Sequence, residues 1–118
     1  MSNNGDDNIE IDKETLDVLR KQIIGYIELA FPDFYAFVGD CIQIQVGAAA
    51  KDILKGNVTV DTITEKVIEN ITPQIPQDVI DTIQNVTEND EQTKSIIDQV
   101  MKEAVKMGVT LTIKDLKR

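Results

Sequence analysis

The chain has 118 residues, a formal net charge of −9, one cysteine and no histidine. That length suits a single core without staples, and a hydrophobic fraction of 42% is too high for a wholly disordered chain. The acidity excludes nucleic acid as a direct ligand, since phosphate binding needs a basic footprint. A lone cysteine excludes an internal disulfide and fits a reducing, cytoplasmic setting.

Residues 1–11 (MSNNGDDNIEI) read as a disordered acidic leader, and 12–118 as a single helical domain. The polar, acidic start is the opposite of a secretory signal. Asp12 is a good N-cap, and Glu14 and Asp17 suit the positive end of a helix dipole. From there Leu16, Leu19, Ile23, Ile27 and Ala30 recur at steps of three and four, which predicts an amphipathic helix over about 12–31. Pro32 stops it.

The stretch from Ile23 to Ala50 holds all three phenylalanines and both tyrosines and lacks Lys and Arg. Glu28, Asp33 and Asp40 interrupt it, so it is a core segment rather than a membrane span, which needs about 20 apolar residues. A helix over about 33–55 places Phe34, Phe37, Val38, Cys41, Ile42 and Val46 on one broad face. Ala36, Gly39, Gln43, Gly47, Ala50 and Leu54 form a small opposite side where another backbone can come close. Ile42, Ile44 and Val46 alternate with Gln43 and Gln45, so a strand over 41–46 competes. The alanine run at 48–50 favours helix, with a break expected at Gly39–Asp40 and an end at Gly56–Asn57.

Three shorter helices follow between 60 and 107. The tripeptides Asn57-Val58-Thr59, Asn70-Ile71-Thr72 and Asn85-Val86-Thr87 recur 13 and then 15 residues apart, a weak repeat. They are formal glycosylation sequons, but their threonines read better as helix caps. The first unit carries Val60, Ile63, Val67 and Ile71, with Thr62 and Glu65 as a capping box; the second opens at Pro76. The third is capped near Asn89 and ends at Gly108. Beyond it Val109, Leu111 and Ile113 alternate with threonines and predict a short C-terminal strand. Its partner is Val58–Val60, the leader, another copy, or a target protein by strand addition; the competing reading is an untethered, loose C-terminal tail.

The fold class is therefore all-α: a compact bundle of about five helices, two longer then three shorter, with the short C-terminal strand. The chemistry is sparse. Without histidine there is neither the commonest general base nor the commonest metal ligand. Cys41 has apolar neighbours and reads as structural. Glu28 and Asp40 are the only carboxylates flanked by enough apolar residues for acid/base work, and both are expected to face outward. The acidic runs at 6–12 and 88–91 lack the glycine turn of a calcium loop.

No catalytic residue, metal, cofactor, small-molecule substrate, nucleic acid or membrane is expected. The expected role is a non-enzymatic protein–protein interaction module: a small acidic adaptor, inhibitor or regulator, of which a phage-encoded protein acting on a host protein is one form. The partner is another protein or, in the alternative reading, further copies of the chain in a homo-oligomeric structural or assembly component, such as a virion accessory protein. Phe34, Tyr35, Phe37, Gly39, Gly47, Leu111 and Ile113 are the candidate interface residues.

Overall fold

The computed structural model describes residues 11–85, 87 and 89–118. Among these the chain is all-α. Helices α1 (Lys13–Ala30), α2 (Pro32–Ala48), α3 (Ala50–Leu54), α4 (Val60–Ile71), α5 (Gln77–Gln84) and α6 (Asp90–Leu116) follow in order, with a 3₁₀ turn at Thr72–Gln74 after α4. The leader expected at 1–11 lies, apart from Ile11, outside the described residues.

The helix starts follow their caps. Asp12 accepts from the Thr15 amide at 2.8 Å to open α1, and this bond holds its carboxyl below the usual carboxylate range. Thr59 opens α4 by accepting from the Thr62 amide at 3.3 Å, so the cap is Thr59 rather than a box of Thr62 with Glu65. Asn89 opens α6, accepting from the Gln92 amide at 2.9 Å. Only the first of the three Asn-X-Thr tripeptides precedes a helix in this way. Thr72 donates back to the Ile68 carbonyl at the end of α4, and Thr87 to the Gln84 carbonyl at the end of α5. The three sites are therefore not equivalent caps.

No break occurs at Gly39–Asp40. The interruption falls at Ala49, between α2 and α3, two residues past Gly47. The helix pair ends as expected at Gly56, whose φ of +78° is left-handed. The Gly56 amide donates to the Ile53 carbonyl and the Asn57 amide to Asp52, the paired bonds of a Schellman motif.

The main correction concerns the last third of the chain. Residues 109–113 are helix, not strand, and α6 is the longest helix at 27 residues, not one of three short ones. At about 1.5 Å per residue it spans roughly 40 Å. One seam runs Ile97, Met101, Val105, Val109, Ile113, Leu116, at steps of four and finally three. Met101, Val105 and Val109 are buried, and the others pack against the core. Hydrophobic burial along this seam outweighs the weak strand preference of the alternating threonines. Those threonines are satisfied within the helix: Thr110 donates to the Lys106 carbonyl and Thr112 to the Gly108 carbonyl, both at 2.8 Å.

Gly108 is likewise a packing residue rather than a helix end. A Cβ built there would lie 2.7 Å from Ile42 Cδ1, so its absence lets α2 and α6 close on each other. Around this contact α6 packs against α1, α2, α4 and α5, and α2 also packs against α4. Ile27, Ile42, Ile63, Val67, Ile71 and Val105 belong to the single core that results.

Candidate functional site

Along α2 the buried residues are Phe34, Cys41, Ile42 and Val46, with Val38 half-buried beside them. This is the expected core face with one exception: Phe37 is 37% exposed and lies off it. Phe34, at 7%, belongs to the core rather than to an exposed aromatic patch.

Where α1, α2 and α6 meet, they leave an apolar groove of about 280 Å³. Ile24 and Ile27 of α1, Phe34 and Ile42 of α2, and Met101 and Ala104 of α6 contribute to its walls. Tyr35 and Met107, 41% and 42% exposed, also border it. Leu111, 60% exposed, continues the α6 side one turn beyond Met107, and the two line an adjoining hollow. Contiguous exposed apolar side chains around a groove mark an interaction surface, whereas scattered ones such as Val18 or Leu29 are ordinary.

Arg20 is the charged residue in the groove lining. Its side chain is 15% exposed, its Nη2 donates to Asp17 Oδ1 at 2.6 Å, and its buried Nε has no hydrogen-bond partner among the described residues. Hydrogen bonds from Arg20 and then Lys21 hold the Asp17 carboxyl below its ordinary range.

The candidate interface thus divides. Phe34, Tyr35 and Gly39 line the groove, and Leu111 extends it. Phe37 and Gly47 are exposed but do not line it, while Ile113 is half-buried against the core. On the small side of α2, a Cβ at Gly39 or Gly47 would meet nothing within 4 Å. Sequence reading missed Arg20 and Met107 as groove residues. Met107 belonged to the helical pattern of α6, but only the packing of α2 turns its side chain into a rim.

A larger hollow of about 690 Å³ lies between the end of α4, the 3₁₀ turn, α5 and the start of α6. Its apolar residues Ile68, Ile75, Ile80 and Ile97 are half-buried, and Glu91, Lys94 and Asp98 mix charges along one wall. No large apolar side chain stands exposed among its lining residues, unlike those of the smaller groove.

The reactive candidates are placed as follows. Cys41 is buried, and burial followed by the Asp40 charge pushes its thiol above the ordinary value, away from the nucleophilic thiolate. Glu28 and Asp40 are both exposed. Among the described residues no group of three or more acidic or cysteine side chains is placed to hold a metal ion. No helix among them is long and apolar enough to cross a membrane. Comparisons with models of known families, with curated proteins and with solved structures find no match.

Proposed function

We propose that the chain is a non-enzymatic protein–protein interaction module, a small acidic adaptor, inhibitor or regulator working in the cytoplasm. One observation carries this reading: Tyr35, Met107 and Leu111 stand exposed around an apolar groove whose charged lining residue is Arg20. The matching partner segment is apolar, since the groove's charged lining residue, Arg20, is already paired with Asp17. The missing histidine and the buried, raised Cys41 thiol are in keeping with a role that needs no reacting side chain.

Capture of partners from native lysate tests the reading, comparing the intact protein with a Met107→Glu variant. Met107 is an exposed rim residue, so the variant keeps the wild-type melting temperature. The expected result is one stoichiometric foreign protein recovered by the wild type and lost from the variant. Equal recovery by both would place the binding surface elsewhere, and recovery of no foreign protein would remove the adaptor reading.

A further inference from the structure

The larger hollow, of about 690 Å³, has a local cause in the chain between α4 and α5. Pro73 lies in the 3₁₀ turn and Pro76 stands just before α5, and proline holds φ near about −65°. Ile75 and Pro76 are both extended, with ψ of 125° and 137°, so the chain steps away from the end of α4 before α5 begins. α5 then packs against α6 and buries Val79 and Ile83. The space left between the end of α4, α5 and the start of α6 is the hollow.

Its lining sorts by depth. Ile68, Ile75, Ile80 and Ile97 are half-buried, each from a different element or turn, and Met101 is buried. Thr72, Glu91, Lys94 and Asp98 are exposed and form the rim. Apolar walls with a few polar groups, enclosing about 300–1,000 Å³, are the usual form of a small-molecule site.

The rim decides what enters. A macromolecule would have to cover and dehydrate four exposed polar residues to reach the isoleucines, at a cost in free energy. A small molecule passes between them and leaves them in water. Glu91 and Asp98 repel an anion and Lys94 repels a cation, so neither sign is drawn in. Transfer of apolar surface out of water is then the driving force.

We propose that this hollow binds an uncharged, apolar small molecule, seated against Ile68, Ile75, Ile80 and Ile97. The ligand touches α4, α5 and α6 at once, so it ties α5 to the rest of the bundle. The site is separate from the α1–α2–α6 groove and stands or falls independently of the proposed function.

Fluorescence titration of the full chain with N-phenyl-1-naphthylamine, an apolar probe that is uncharged at neutral pH, tests this. The expected result is saturable binding of one probe per chain, with a melting temperature that rises with probe concentration. Isoleucine methyl NMR of the wild type locates the probe. The Ile68, Ile75, Ile80 and Ile97 signals are expected to shift to saturation, while those of Ile24, Ile27 and Ile42 in the smaller groove stay in place. Ile80→Asp puts a charge against the ligand and is expected to weaken binding at least about tenfold. Met107→Glu, on the rim of the other groove, is expected to bind the probe as the wild type does. Circular dichroism melts establish that both variants are folded; should Ile80→Asp unfold, the methyl shifts of the wild type decide alone.

Absence of saturable binding overturns the proposal, as do methyl shifts centred on Ile24, Ile27 and Ile42. A folded Ile80→Asp variant with wild-type affinity, or loss of binding in Met107→Glu, overturns it as well.

Discussion

Helices α2 and α6 lie against each other, yet their sequences point the wrong way about which one is more buried. α2 is the more apolar and has no basic residue, but 11 of its 17 residues are exposed. α6 is studded with charge and alternates like a strand near its end, yet only 11 of its 27 residues are exposed. The difference lies in spacing. A helix surrounded on one side can bury only the residues that recur at three and four, whatever the rest are made of. The apolar excess of α2 therefore remains outside, as Tyr35, Phe37 and Ile44. Of these, Tyr35 borders the groove, whose exposed rim α6 completes with Met107.

The sharpest way to break the comparison is to interrupt the α6 seam without touching its packing. Leu111 is 60% exposed, so Leu111→Pro removes little side-chain burial and acts on the backbone. Proline inside a helix costs about 3 kcal/mol or more. For a domain near 100 residues, each kcal/mol shifts the melting temperature by about 4–8 °C. A fall of at least about 12 °C, with loss of helical circular dichroism, is expected. An unchanged melt would mean that the last turns of α6 do not matter to the fold, as in the strand or loose-tail reading.

A smaller effect separates two neighbours on α2. Ile42 is 7% exposed and Phe37 is 37% exposed. Ile42→Ala is expected to cost about 2–5 kcal/mol by urea unfolding, the range for truncating a buried large aliphatic side chain. Phe37→Ala is expected to cost less, about 1–2 kcal/mol, since about a third of the residue is already in water. Equal losses would place Phe37 in the core.

These cases also show what was legible beforehand. The all-α class, the opening of α1 at Asp12, the end of α3 at Gly56 and the opening of α6 at Asn89 were all readable, because each depends on a local pattern of burial or capping. The C-terminal strand was misread because Val109, Leu111 and Ile113 satisfy a period of two when taken alone. Only the longer seam back to Ile97 shows that Val109 and Ile113 share a helical face while Leu111 leaves it. Phe37 was misplaced for a related reason: an all-round apolar helix gives no internal sign of which flank its neighbours cover. The groove was legible only in part. Tyr35 and Leu111 stood out by type, but Arg20 enters it through the packing of α1, which no local pattern contains.

Gly108 marks the contact between the two helices and allows the finest test. In an exposed helix, Gly→Ala gains about 1 kcal/mol. Here the added methyl would sit 2.7 Å from Ile42 Cδ1, so the buried isoleucine must first move its end carbon. Gly108→Ala alone is therefore expected to leave stability nearly unchanged, the propensity gain offsetting the crowding. Ile42→Val deletes Cδ1 at a cost of about 0.5–1.5 kcal/mol. The next nearest atom, Ile42 Cγ1, lies 3.9 Å away, an ordinary contact. In the valine background Gly108→Ala is then expected to stabilise by up to about 1 kcal/mol. The double-mutant cycle should show a favourable coupling above about 0.5 kcal/mol, the scale of residues in contact. A coupling of zero would mean that glycine at 108 is not what lets α2 and α6 approach, and that the position is simply a weak point in a long helix.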